Sequence, residues 1–229
     1  MKVNEFFSLF WLNLKVLKTN FVEYCKVVVR YYPHINFAKT DLALLSKYIL
    51  RNPFKVSKEF LEQKGESVVY AYGETPLTSF DLIVKKAGLK STDTLYELGC
   101  GRGRCCFWLN AFVGCRVIGI DFVPEFIAKA QDTLQKRHLE GIEFRLEDFL
   151  QSDLKGATAI YLYGSCYEEP FLRQLSKKLA QLPKGTLIIT VSYPLTEYAS
   201  SGQFEIMNHF SAPFTWGEGD VYLQRVSEK

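Results

Sequence analysis

Between Thr94 and Asp121 the apolar positions change period twice. An apolar run at Leu95–Leu98, broken only by Glu97, gives way to helical spacing over Arg104–Phe112, and a second, continuous run at Val117–Ile120 ends on Asp121. Continuous short runs predict buried strands and three-to-four spacing predicts a helix, so this stretch reads as strand, turn, helix, strand. The turn, Glu97-Leu98-Gly99-Cys100-Gly101-Arg102-Gly103, has glycine at every second position. Glycines there let the backbone turn tightly and let a ligand approach it.

The same patterns continue on both sides. Pro124 opens a helix to about His138, Ile142–Leu146 is a strand, and Ala157–Tyr163 is a fourth. A helix from Glu168 to Leu182 leads to the apolar strand Leu187–Val191. Phe204–Phe210 and Asp220–Arg225 form a closing antiparallel hairpin across residues 212–219. Upstream, Thr75 as N-cap and Pro76 as first helical residue start a helix that stops at Gly88. Residues 5–32 predict one long helix whose apolar face carries Phe6, Phe10, Leu14, Leu17, Phe21, Tyr24, Val28 and Tyr31, widened by Phe7 and Trp11. Thr40 or Asp41 caps a second helix through Leu42, Leu45 and Ile49, which Asn52-Pro53 ends, and Lys58–Lys64 is a short third, stopped by Gly65. Residues 1–67 are thus an N-terminal helical subdomain, and 68–229 an α/β domain.

At 229 residues the chain is long enough for one large α/β domain with an appendage, and its 48% apolar and 23% charged content is that of a globular protein. The net charge of +3 hides an asymmetry, because residues 1–60 alone carry +6. That excess points to an anionic surface or a solvated face at the N-terminal end. Six cysteines and three histidines show no zinc spacing, so no metal site is expected, and the cysteines read as reduced thiols in a cytoplasmic protein. The stretch Phe6–Leu17 is interrupted by Asn13 and Lys15 and is too short to span a bilayer, and no cleavable signal is evident.

The glycine turn separates two chemistries. A dinucleotide fold directs G-x-G-x-x-G at a pyrophosphate, whereas here Glu97 stands before the glycines. A carboxylate repels pyrophosphate and suits a ligand bearing an ammonium or sulfonium charge. Asp121, about 20 residues on, is placed to accept from ribose hydroxyls. Asp148 and Phe149, at the tip of the third strand, are placed for an adenine, since ligands bind outside the carboxyl ends of such strands. The Tyr72-Gly73-Glu74-Thr75 loop stands before a helix N-terminus, where it can meet a carboxylate. The Gly164-Ser165-Cys166-Tyr167 loop at the fourth strand's tip, after Tyr163, should face the reacting group.

The pattern acid-x-G-x-G-x-G resembles motif I of class I S-adenosylmethionine (SAM) methyltransferases. With Asp121 and the Asp148-Phe149 pair in order, that resemblance covers roughly residues 68–229. It implies a Rossmann-like, mostly parallel sheet of seven strands with an antiparallel C-terminal hairpin. Within the class, Tyr72-Gly73-Glu74-Thr75 followed by Ser79-Phe80-Asp81-Leu82, then Glu147-Asp148-Phe149-Leu150 and Phe214-Thr215-Trp216-Gly217, resemble the non-SET histone lysine methyltransferases of the disruptor-of-telomeric-silencing type. The resemblance implies SAM as cofactor, held by Tyr72, Glu74, Thr75, Glu97, Gly99, Gly101, Gly103, Asp121, Asp148 and Phe149. The departures are Asp121 where that family typically has Glu, and Tyr163-Gly164-Ser165 where it has paired asparagines.

The function expected is methyl transfer to a lysine nitrogen of a protein, with a small-molecule or lipid acceptor as the alternative and a non-catalytic SAM-binding or assembly module as a third reading. Tyr163, Gly164, Ser165, Tyr167 and Trp216 are the candidate acceptor-side residues, and Tyr163 and Ser165 the candidate catalytic ones. The partner is a protein or small-molecule methyl acceptor, and no nucleic acid is expected. The helix of residues 1–32 is expected to pack within the protein and to self-associate, with peripheral membrane contact as the alternative.

Overall fold

A computed structural model describes residues 3–66, 68–69, 72–164 and 167–227, with backbone alone for 3–10 and 12–15. Seven strands, β1 (Thr94–Leu98), β2 (Arg116–Asp121), β3 (Ile142–Leu146), β4 (Ala159–Tyr163), β5 (Leu187–Val191), β6 (Phe204–Phe214) and β7 (Gly217–Val226), form one sheet. Its order is β3-β2-β1-β4-β5-β7-β6. β1 to β5 run parallel and β7 enters antiparallel between β5 and β6. The order reverses between β1 and β4, so their carboxyl ends open a crevice of the kind where such sheets bind ligands. The glycine turn lies at that opening.

Alternation along the strands builds two cores. Leu95, Val117, Tyr161 and Ile189 pack on one face against α4 (Leu77–Ala87), α5 (Arg104–Phe112) and α6 (Pro124–Arg137). Tyr96, Leu98, Ile118 and Ile160 pack on the other against α7 (Glu169–Leu179). The N-terminal helices α1 (Val3–Tyr31), α2 (Ile35–Ser46) and α3 (Pro53–Lys64) add Val27, Phe37, Leu44 and Val56 to the first of these cores. Gly119 of β2 permits close helix–sheet packing, because a Cβ there would come within 2.9 Å of Cys100, Cys106 and Phe144.

Four expectations are corrected. α2 begins at Ile35, where His34 Nδ1 accepts from the Phe37 amide at 3.2 Å, and Thr40 and Asp41 are buried inside the helix instead of capping it. α3 begins at Pro53 with Asn52 as its cap, so Asn52-Pro53 opens a helix rather than closing one. α4 has Pro76 at its cap position, and the Thr75 hydroxyl meets the Tyr161 hydroxyl at 2.5 Å. The final hairpin is longer than its apolar pattern, with only Thr215 and Trp216 between β6 and β7.

The long helix α1 forms as its pattern predicts, but of its apolar face only Tyr31 is buried among the described side chains. Val27 and Tyr31 are buried, while Leu17, Phe21 and Val29 are 64%, 69% and 77% exposed. The attachment is polar at its centre: Glu23 accepts from the Thr78 amide and hydroxyl at 3.0 and 2.6 Å, and Arg30 pairs with Asp81 at 2.6 Å. Phe6, Phe7, Phe10 and Leu14 lie outside the residues whose side chains are described.

Candidate active site

At the carboxyl end of β1 the chain passes through Gly99, Gly101 and Gly103 with φ of 74°, 54° and 79°, a region that side-chain-bearing residues rarely adopt. The amides of Gly99 and Cys100 donate to the Ile120 carbonyl at 2.8 and 3.0 Å, and the Gly101 amide donates to Asp121 Oδ2 at 2.7 Å. The acid at the tip of β2 therefore shapes the turn as well as facing the crevice. Its other oxygen accepts from the Val123 amide at 2.9 Å.

The loop Tyr72–Thr75 forms the opposite wall of the cleft. The Tyr72 ring covers Gly101 so closely that a Cβ there would come within 2.9 Å of it. Tyr72 donates to Glu74 at 2.5 Å, and Arg102 pairs with the other Glu74 oxygen at 2.6 Å. Arg102 also lies over the Tyr48 ring and keeps its buried Nε without a partner. Arg104, the first residue of α5, reaches Asp41 of α2 through two hydrogen bonds of 2.7 Å, and Tyr32 donates to the same carboxylate at 2.9 Å. That buried pair joins the N-terminal helices to the end of the glycine turn.

The acids in the cleft differ sharply. Burial pushes Glu97 up to about 8, and the charge on Asp121 adds to the shift. The Cys106 thiol donates to Glu97 Oε2 at 2.9 Å, and among the described residues no cation stands beside the carboxyl. Asp121 is pushed to about 6 by the same loss of water, offset in part by its amide donors. Burial alone would raise Glu74 as well, but Arg102 and the Tyr72 hydroxyl hold it below the usual range. A buried acid that lines a cleft and lacks a counterion fits a cationic ligand group. Together with the open backbone of Gly99, this set of acids fits SAM.

On the far side of the cleft Tyr163, Phe214 and Trp216 stack face to face, with centroids 5.4 and 5.5 Å apart and planes within 8°. Trp216 donates its indole hydrogen to the Tyr163 hydroxyl at 3.0 Å, and Tyr163 packs on Gly73. Tyr167 covers Gly164, stacks on Phe171 at 4.5 Å, and reaches a point 3.6 Å from where a Cβ on Gly99 would stand.

Not every expected residue comes to the cleft. Gly103 lies under Phe144, where a Cβ would meet the ring at 2.4 Å, so it serves helix–sheet packing. Asp148 is exposed and accepts from the Leu150 amide at 2.9 Å in a turn, while Phe149 is buried beside Tyr167 and Phe171. Ser165 lies outside the described residues. Sequence reasoning misses Arg102, Arg104, Cys106 and Phe214. The two arginines stand in and directly after a motif whose signal is its glycines, and their partners are 28 and 63 residues away.

A family model described as the ANTKMT methyltransferase domain matches residues 97–201. An RNA methyltransferase from Salinibacter ruber, solved with S-adenosyl-L-homocysteine, has TM-score 0.55 and 25% identity and covers 69% of this chain and 95% of that one. This chain carries a class I SAM-dependent methyltransferase domain. A geranyl diphosphate methyltransferase solved with SAM, at 13% identity and TM-score 0.57, covers 67% of this chain and 86% of its own and shares the fold. The histone-lysine N-methyltransferase, H3 lysine-79 specific, of Dictyostelium discoideum is 28% identical over 159 residues, 62% of this chain and 8% of that protein. The arsenite methyltransferase of Halobacterium salinarum is 40% identical over 62 residues, 26% of this chain and 16% of its own. The methyltransferase thus spans only a small part of the length of these curated relatives.

Proposed function

We propose that the methyltransferase transfers a methyl group to a lysine side-chain nitrogen of a protein. The Tyr163–Phe214–Trp216 stack carries this reading, since a wall of aromatic faces beside the cleft strips water from an amine and attracts it while still cationic. The ANTKMT domain match and the partial likeness to a histone-lysine methyltransferase support it.

Bound SAM supplies an electrophilic methyl group on a sulfonium. In this reading Glu97 faces its ammonium, Asp121 accepts from its ribose, Gly99 leaves room for it, Gly101 lets Tyr72 close over the turn, and Thr75, Glu74 and Tyr72 close the opposite wall. Gly103 supports the turn from below. Transfer needs an in-line approach and a free lone pair, so positioning does most of the catalysis. The Tyr163 hydroxyl, held by Trp216, accepts a hydrogen bond from the entering amine, and Gly164, Ser165 and Tyr167 complete the acceptor side.

Incubation with methyl-labelled SAM and cell extract, followed by separation of protein from solvent-soluble products, tests the acceptor class. Label is expected in protein. Label confined to the organic phase would replace this reading with a lipid or small-molecule acceptor.

A further inference from the structure

Every described side chain from Val16 to Val22 is exposed, so this stretch of α1 stands clear of the body, while Val27 and Tyr31 further along are packed. At about 100° per residue, Leu17, Phe21, Val28, Val29 and Val22 fall within an arc of about 140° on the side away from the body. Lys18 lies within that arc and Lys26 about 40° beyond its end, both exposed. The one acid between Val16 and Arg30, Glu23, is turned inward and spent on the Thr78 amide and hydroxyl. The outward face is therefore apolar and purely cationic.

We propose that α1 docks on an anionic lipid surface, with Leu17, Phe21, Val22 and Val29 entering the headgroup boundary and Lys18 and Lys26 meeting lipid phosphates. Long lysine stems can lie along apolar surface while the ammonium stays at the polar level, which reconciles Lys18 with its apolar neighbours. A second copy is the poorer occupant, because pairing two such faces brings Lys18 and Lys26 together with no acid to neutralise them. Crossing the bilayer is a different mode, and among the described residues no helix is long and apolar enough for it. The +6 charge of residues 1–60 has the sign this surface requires.

The test is co-sedimentation of the full chain with vesicles of phosphatidylcholine mixed with phosphatidylglycerol, and with phosphatidylcholine alone, alongside sedimentation velocity without lipid. Binding to the mixed vesicles is expected, weakening about tenfold or more as salt rises toward about 0.5 M. Lys18→Glu with Lys26→Glu should weaken it by about tenfold or more. Leu17→Glu with Phe21→Glu should abolish it and leave the melting temperature unchanged, since both side chains are exposed. Absence of pelleting would overturn the proposal. So would a concentration-dependent dimer that Phe21→Glu converts to monomer, which would assign the face to a second copy.

Discussion

Replacing Glu97 with Gln tests the cleft's electrostatics, because the change keeps shape and removes the titration. The carboxyl is 6% exposed, and burial raises it from 4.5 to about 8. A group whose folded pKa lies above its unfolded value gives stability that is complete below the unfolded pKa and lost as pH rises through the folded one. For Glu97 the loss therefore runs from about pH 4.5 to about pH 8. At about 1.4 kcal/mol per unit, that interval is on the order of a few kcal/mol. Without SAM, Glu97→Gln should melt close to wild type at about pH 5 and above it at about pH 9, with the gap opening between them. SAM binding should show the reverse preference. A cation beside Glu97 favours the carboxylate, so wild type should release a proton on binding near neutral pH, and the Glu97→Gln variant should bind on the order of 2 kcal/mol more weakly. Thermal melts across pH, with calorimetry in buffers of different ionisation enthalpy, read both effects. Parallel melting curves together with a binding enthalpy independent of buffer would refute the assignment of Glu97 to a cationic ligand group.

Two glycines of one turn should fail differently. Gly101→Val should block SAM binding through the space under Tyr72, while Gly103→Ala should destabilise the fold by about 2 kcal/mol or more against Phe144, as calorimetric titration and urea melts would separate. Asp41→Asn leaves Arg104 buried without its counterion and should cost about 3 kcal/mol in urea unfolding. Tyr163→Phe removes the hydroxyl that Trp216 holds, so kcat should fall while SAM affinity stays unchanged.

The central strand–turn–helix–strand was legible because every signal in it is local. The glycines, the helical spacing and Asp121 all lie between Thr94 and Asp121, and β3 was likewise marked by its alternation after Gly141 and β5 by its apolar run. What was not legible depends on distant partners. Arg104 and Asp41 are 63 residues apart, and an acid inside α2 looks like a cap until an arginine from α5 reaches it. Asn52-Pro53 is an equally good stop and start, and packing of Val56 and Leu61 decides for a start. Periodicity in α1 predicted the helix correctly but could not say which side meets the body. The ion pair and capping-like contacts of Arg30 and Glu23 with α4 select a face on which apolar spacing marks Tyr31 but not Val27.

The atom that receives the methyl group decides between the acceptor classes. Labelled protein from an extract incubated with the methyltransferase should be hydrolysed to amino acids and the labelled species identified, with an Asp121→Ala chain as the control that lacks the ribose acceptor. A lysine acceptor gives label in methylated lysine with wild type and little with the control. Label in another amino acid, or in no amino acid while solvent-soluble products carry it, would contradict it.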